Sequence, residues 1–298
     1  MKANAGGLLD DMRPAPQAAS ASSAAPESPS IGLVRSRGEI ALGFVYSDGL
    51  TRLSDFYQAG CLKARMPRAS GQAPSVVMIN TGGGIVDGDR LVQRARWSAG
   101  AEATVTSQAA EKVYRAPGAG ARIETRIEVG AGAGAEWLPQ ETILFDRARL
   151  TRSMEVRMAA DSSFTGVEAV VLGRTAMDET VQTGALDDRW RIWRGGRLVF
   201  ADALRLEGSP DALMARPSMG GGARATAMLI HVSTRAAGLL GGVREALAGA
   251  LGTAAASAWN GMLVVRLLAR DGAILRHDLV RALAALRGSR PLPRVWSC

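Results

Sequence analysis

Five glutamates stand in segments rich in apolar or aromatic residues. They are Glu111, Glu136, Glu141, Glu168 and Glu179. A buried carboxylate destabilises a fold by several kcal/mol unless it is paired or lies in a polar cavity. Because only three of the 36 basic residues are lysines, arginine is abundant and structural Glu–Arg pairs are one explanation. A functional polar passage or a path for a metal ion is the other, and the residue pattern leaves both open.

The residues that form hydrolytic or zinc sites are scarce. No Gly-x-Ser-x-Gly elbow occurs. The two cysteines, Cys61 and Cys298, and the two histidines, His231 and His277, lack the paired spacing of a structural zinc site. We interpret Cys61 as a small buried hydrophobe and His231 as a core or edge histidine of a strand. Two distant cysteines also indicate a reduced, cytosolic setting.

A glycine-rich segment spans residues 80–91. It lacks the Lys-Ser/Thr pair of a phosphate loop and the strand-to-helix glycine pattern of a dinucleotide site. We interpret it as a tight structural loop where the backbone passes close to another segment. Its key glycines are Gly83, Gly84 and Gly88. Asp87 and Asp89 flank the last of these and suit a hard cation, although two carboxylates fall short of a calcium loop.

Alternation of apolar and polar residues dominates the chain after about residue 38. In residues 122–129, Ile, Thr and Val alternate with Arg and Glu, which predicts a half-buried strand. Gly195 and Gly196 separate two strand-like runs and supply the positive φ angles of a two-residue hairpin turn. Because strands follow strands with no helix between them, we predict a mainly β, antiparallel body.

A helical period appears only in the last third. Leucines and a valine between Leu240 and Leu251 predict one helix, which ends at Gly252. Leucines at 279, 283 and 286 predict a second helix, with Asp278 as its N-cap and Gly288 as its stop. His277 would then lie just before this helix.

Length and composition place the chain among soluble globular proteins. It has 298 residues, of which 47% are hydrophobic and 21% charged. No run of about 18 apolar residues predicts a membrane span. Residues 1–35 are rich in Ala, Ser and Pro and are predicted to be a flexible extension. With no internal linker after it, we predict a single β-rich domain over residues 36–298.

The net charge of +8 first suggests a β-rich basic module that binds nucleic acid. The charge is concentrated, however: residues 266–298 hold seven arginines against two aspartates. Aromatic residues make only 5% of the chain, and Trp190 and Trp193 fall on opposite faces of one predicted strand, so no stacking platform forms. We interpret the basic end as a surface for an acidic protein partner, with Arg281 and Arg287 as candidate contacts.

Seven segments, in collinear order, resemble the UreD (also called UreH) family of urease accessory proteins. They are residues 48–67, 80–91, 108–115, 138–145, 172–174, 188–192 and 293–296. The resemblance covers roughly residues 38–298. One departure is Asp87, where members of the family commonly carry Gly.

The resemblance implies a scaffold for urease maturation and no enzymatic activity of its own. UreD-type proteins bind the urease apoprotein, recruit the accessory proteins UreF and UreG, and are proposed to pass nickel through an internal tunnel. The family fold is a bundle of stacked, twisted sheets, β-helical-like, with two helices. This implies a cytoplasmic protein with these protein partners and with neither a nucleic acid nor a membrane as partner.

Passage of nickel would require weak, exchangeable ligands, because a tight His/Cys cage would trap the ion. Carboxylates suit such a path, so the resemblance and the buried acids together give four candidate residues. They are Asp89, Glu111, Glu141 and Glu168. We expect nickel to bind only transiently, with no tightly bound cofactor.

Overall fold

The computed structural model describes residues 35–67, 73–174 and 177–297, and within them seventeen strands and three α-helices form. The strands are β1 (Arg37–Ser47), β2 (Leu50–Gly60), β3 (Leu62–Arg65), β4 (Ser75–Asn80), β5 (Arg90–Trp97), β6 (Glu102–Ser107), β7 (Glu111–Val113), β8 (Ala121–Val129), β9 (Gly134–Leu138), β10 (Thr142–Leu144), β11 (Arg149–Met158), β12 (Ser163–Leu172), β13 (Gly184–Arg194), β14 (Arg197–Gly208), β15 (Ala225–Val232), β16 (Thr253–Trp259) and β17 (Met262–Ala269). The helices are α1 (Pro210–Met214), α2 (Ala236–Leu247) and α3 (Gly272–Arg287). The predicted extension lies outside the described residues apart from Arg35, so the proposed domain division stays a prediction.

Two sheets stack face to face. The first has seven strands in the order β14-β13-β11-β8-β5-β1-β2. The second has ten strands, eight of them in the order β16-β17-β15-β12-β9-β6-β4-β3. The other two lie beside this path: β10 pairs with β12, and β7 pairs with β10. Strands make up 53% of the described residues in a solenoid-like stack, and the helices lie in its C-terminal part, which confirms the mainly β fold class.

The predicted antiparallel pairing is wrong for the middle of both sheets. β5, β8 and β11 pair in parallel in the first sheet, as do β6, β9 and β12 in the second. The chain alternates between the sheets through short turns, so each circuit adds a strand that runs in the same direction as the one before it. Antiparallel pairs lie toward the ends of each sheet, as in the β13–β14 hairpin, where Gly195 and Gly196 have φ of 55° and 78°.

The alternation read from the sequence decides which side chains fill the space between the sheets. In β8, Ile123, Thr125 and Ile127 are buried whereas Arg122 and Arg126 are exposed. One apolar cluster fills the space between the sheets, and a second lies between the second sheet and the helices α2 and α3. Burial of apolar surface on both faces of the second sheet stabilises the stack.

Two helix predictions need correction. The first predicted helix ends at Leu247, earlier than expected, and Leu251 is exposed. The last helix begins at Gly272, where Asp271 is the N-cap and its carboxylate accepts from Ile274 N at 2.8 Å. Asp278 lies inside this helix, and its side chain is buried. Its carboxylate accepts hydrogen bonds from the backbone amides of Leu251 and Gly252. His277 is therefore also in the helix.

The C-terminal part also contains α1, a single-turn helix that the sequence pattern did not predict. The predicted stop of the last helix at Gly288 is confirmed, with φ of 59° at that residue. Among the described residues, no helix is long and apolar enough to cross a membrane.

Candidate functional site

Two cavities lie between the stacked sheets and share one wall residue, Glu168. The first, of about 230 Å³, reaches from Glu111 and Asn80 to Arg152 and Glu168. The second, of about 310 Å³, continues from Glu168 past Asp188 toward the strand β14. We call the two cavities and the residues between them the passage.

The strand pattern explains why charged groups point into this space. Alternate residues of β11, β12 and β13 face the gap between the sheets, where they are mostly apolar. Arg152, Glu168 and Asp188 occupy three of these inward positions, one on each strand. Arg152 and Asp188 are register partners of the parallel pair β11–β13, so their side chains meet.

These three residues form a buried cluster that we call the triad. Arg152 Nη1 lies 2.5 Å from Glu168 Oε1, and Arg152 Nη2 donates to Asp188 Oδ2 at 2.8 Å. Arg152 Nη1 also donates to Thr142 Oγ1 at 2.8 Å. Glu168 is 7% exposed and Asp188 4% exposed. Glu168 Oε1 is in contact with the guanidinium, and Glu168 Oε1, Asp188 Oδ1 and Arg152 Nε form no hydrogen bond.

Burial raises the pKa of Glu168 to about 8, against the attraction of Arg152 and with added repulsion from Asp188. The carboxyl group of Glu168 is therefore mostly protonated at pH 7. A cation that binds this group has to displace a proton as well as any resident partner.

Glu111 lies at the opposite end of the first cavity. Asn80 Nδ2 donates to its two carboxylate oxygens at 3.0 and 3.2 Å. Burial raises the pKa of Glu111 to about 7, although the Asn80 hydrogen bond opposes this shift. At neutral pH the group is thus divided between its protonated and ionised forms, which suits reversible binding of a cation.

The structure places Asp89 and Glu141 outside both cavities, which corrects their predicted place in a passage. The Asp89 carboxylate accepts from the backbone amides of Ser36 and Val86, at 2.7 and 2.9 Å. Glu141 pairs with Arg276 at 3.2 Å. Both carboxylates are therefore bound to groups that hold loops or a helix in place.

The glycine loop has the structural role that its sequence suggests. Gly84, at φ of 150°, sits so close to Lys112 O that a Cβ atom there would lie 2.9 Å from it. Ile85 N donates to Lys112 O at 2.7 Å, which fixes the two segments together. Gly83 and Gly88 also have positive φ, of 73° and 82°. Gly83 and Gly84 border the first cavity, so this loop helps to shape it.

Asp87, the departure from the family pattern, supports the same loop. Its carboxylate accepts from Gly120 N at 2.7 Å and lies 3.6 Å from Arg35. It lines neither cavity. Asp87 therefore ties the glycine loop to the turn before β8.

The candidate partner contacts at the C-terminal end have internal roles. Arg287 is an ion-pair partner of Glu136, with 8% of its side chain exposed, and its role as a partner contact stays a prediction. Arg290 pairs with the same carboxylate at 3.2 Å. Arg281 donates to Ala246 O at 2.8 Å and so caps the C-terminal end of α2.

The comparison with protein families decides the classification. The family described as "UreD urease accessory protein" matches residues 36–297. The chain belongs to the UreD family. UreD is an accessory protein and not an enzyme, which confirms both the resemblance and the prediction of no catalytic activity.

Curated UreD relatives match nearly their whole length. The chain is 47% identical over 268 residues to the urease accessory protein UreD of Methylobacterium sp. (strain 4-46). This match covers 88% of the chain and 95% of that protein. It is 47% identical over 263 residues to UreD of Rhizobium leguminosarum bv. viciae, covering 88% and 96%. It is 48% identical over 263 residues to UreD of Xanthobacter autotrophicus, covering 88% and 90%. This membership supports a role in urease maturation.

Within the residues described for this UreD member, no three His, Cys, Asp or Glu side chains converge as a metal site. His231 is bonded on both ring nitrogens, to Thr165 Oγ1 and Ser233 Oγ at 2.9 Å each. Burial, with added repulsion from Arg290 and Arg235, lowers the pKa of His231 to about 4. It is therefore a neutral, satisfied histidine of a strand.

Sequence reasoning missed Arg152 and Asp188. A signal was present, because each interrupts an apolar series at inward positions of a period-two strand. Arg152 stands between Leu150 and Met154, and Asp188 between Leu186 and Trp190. A charge at such a position indicates a buried ion pair.

Proposed function

We propose that the chain is a scaffold of urease maturation that binds the urease apoprotein with UreF-type and UreG-type partners, and that Ni²⁺ moves through its passage toward urease. The observation that carries this proposal is the meeting of the two cavities at Glu168. Carboxylates stand along both cavities, at Glu111 in the first and at Asp188 and Asp202 in the second.

The donor chemistry suits movement of a cation and not its storage. Carboxylates, amides and hydroxyls are among the side chains that line the passage, and such hard oxygen donors bind Ni²⁺ weakly compared with thiolate or imidazole cages. The raised pKa values of Glu111 and Glu168 weaken binding further at pH 7, because a proton competes with the metal. Successive weak sites allow an ion to advance.

The two tryptophans of β13 give no support to nucleic-acid binding. Trp190 is buried between the sheets, and the guanidinium of Arg157 covers the ring of Trp193. Stacking on bases needs exposed aromatic faces. The exposed apolar side chains Phe56 and Tyr57 lie on the edge strand β2, where a protein partner is the more fitting ligand.

The variant Glu168→Gln tests the function in cells that express urease and its accessory proteins at limiting nickel. Glutamine keeps the shape of the protonated side chain but cannot ligate as a carboxylate. We expect urease activity to fall several-fold while the chain still co-purifies with urease and its UreF-type partner. The matched control is Glu179→Gln, whose carboxylate pairs with Arg174 outside the passage. Normal activation by Glu168→Gln at limiting nickel would refute the function.

A further inference from the structure

A permanent cation stands at the middle of the passage. Arg152 lies where the first cavity meets Glu168, the residue that both cavities share. Its side chain is 7% exposed and lies between two carboxylates from different sheets. A divalent cation that moves from one cavity to the other must therefore pass a guanidinium, which repels it.

The polar groups around Arg152 are incompletely satisfied. Glu168 Oε1, Asp188 Oδ1 and Arg152 Nε lack hydrogen bonds although each is buried. Trp190 Nε1, in the wall of the second cavity, also has none. Buried polar atoms are normally satisfied, so a cluster without partners indicates a place where another species binds. Two carboxylates that face one centre suit a divalent cation.

The guanidinium has an alternative position within reach. Its Nη1 already donates to Thr142 Oγ1, which borders the first cavity. Because Nε is not hydrogen-bonded, rotation of the side chain toward Thr142 breaks no bond at that atom. Such a rotation would give up the contact with Glu168 and the hydrogen bond from Nη2 to Asp188 Oδ2, which frees both carboxyl groups for a metal ion.

We propose that Arg152 is a resident counter-cation that closes the passage, and that a divalent metal ion takes its place between Glu168 and Asp188 when the side chain swings toward Thr142. This inference rests on the proposed function for the identity of the cargo, Ni²⁺. It assigns to Arg152 the role of a gate. While the metal is absent, the guanidinium balances the charge of Asp188 and lies against the carboxyl group of Glu168.

The test is Ni²⁺ binding to the full-length chain by equilibrium dialysis, without urease. In Arg152→Gln no resident cation competes for the carboxylates, so we expect Ni²⁺ affinity to rise at least about tenfold over the unsubstituted chain. Addition of Glu168→Gln to this variant is expected to abolish the gain. The matched control is Arg90→Gln, which removes an exposed arginine that pairs with Glu124 outside both cavities. We expect this control to bind like the unsubstituted chain.

An unchanged affinity in folded Arg152→Gln overturns the gate, and so does an equal gain in Arg90→Gln, since any lost positive charge would then suffice. If Arg152→Gln does not fold, the charge-balanced variant Arg152→Gln/Asp188→Asn replaces it and is compared with Asp188→Asn, so that both proteins lack the same carboxylate and a rise of about tenfold still reports on Arg152. Failure of the proposed function gives a different result. Normal urease activation by Glu168→Gln refutes the path, whereas the dialysis measures the triad alone.

Discussion

Glu168 Oε1 lies 2.5 Å from Arg152 Nη1, in the wall that the two cavities share. The ion pair joins β12 of the second sheet to β11 of the first, and Asp188 binds the other guanidinium nitrogen. The same three side chains thus connect the two sheets and divide the passage. The contribution of these side chains to the stability of the fold can be measured separately from any binding of a metal ion.

Neutralising the two carboxylates of the triad should have unequal effects on stability. Because the pKa of Glu168 is raised to about 8, Glu168→Gln resembles the form already present at pH 7 and is expected to change the free energy of unfolding by about 1 kcal/mol or less. Asp188→Asn removes the hydrogen-bonded partner of a buried cation and is expected to cost about 3–5 kcal/mol. Urea denaturation at pH 7 measures the free energy of unfolding of both variants. Equal losses of stability would contradict a protonated Glu168 beside an ionised Asp188.

The second prediction concerns pH and His231. Its pKa is lowered to about 4 in the folded state, from 6.5, so the unfolded chain binds more protons between these values. Stability is therefore lost as pH falls, by about 2 kcal/mol between pH 7 and pH 5 from this group. His231→Gln lacks this contribution. The difference in free energy of unfolding between the unsubstituted chain and this variant should therefore shrink as the pH falls from 7 to 5. Parallel pH profiles of the two proteins would refute the buried neutral histidine.

The third prediction concerns the connection between the C-terminal segment and the second sheet. Glu136, whose side chain is 6% exposed, pairs with Arg287 and Arg290. Arg287 is the last residue of α3, and Arg290 follows the helix. Glu136→Gln leaves a buried guanidinium without a charged partner and should cost about 3 kcal/mol or more. The comparison variant is Glu155→Gln, which breaks an exposed pair with Arg157 and should cost less than about 1 kcal/mol. Thermal unfolding of both variants gives the ranking, and a reversed ranking would contradict it.

The fourth prediction separates two adjacent glycines. Gly84→Ala would place a methyl group against Lys112 O and the ring of Tyr114, at φ of 150°. Gly83→Ala meets no atom within 4 Å, so only the strain of its positive φ applies, about 1–2 kcal/mol. We expect Gly84→Ala to be the more destabilising of the two in chemical denaturation. Equal effects would show that the loop does not hold the tight approach to Lys112.

Local patterns predicted much of the fold. The alternation in residues 122–129, the Gly195–Gly196 hairpin and the helix stop at Gly288 all agree with the structure. The direction of strand pairing could not be predicted, because a period of two is the same in parallel and antiparallel sheets. The leucine pattern begins beside Asp278 and so predicts an N-cap there. In the structure the Asp278 carboxylate instead accepts hydrogen bonds from backbone amides that are distant in sequence.

The site was only partly predictable for a related reason. Glu111 and Glu168 line the cavities, whereas Asp89 and Glu141 hold local structure, and the nickel path itself stays a prediction. Sequence shows that a carboxylate is buried but not which amide or arginine it faces, since these partners come from other elements. The triad depends on three strands brought together by the stack, so the inward positions of Arg152 and Asp188 were readable but their contact was not.

The measurement that tests the central claim most directly is the nickel content of urease matured with the double variant Glu111→Gln/Glu168→Gln. Urease is purified from cells at limiting and at excess nickel, and its metal is determined by mass spectrometry. If Ni²⁺ moves through the passage, nickel per urease should fall several-fold at limiting nickel and approach the unsubstituted level at excess. Equal nickel content at limiting supply, with the maturation complex intact, would contradict passage of the ion between the two sheets.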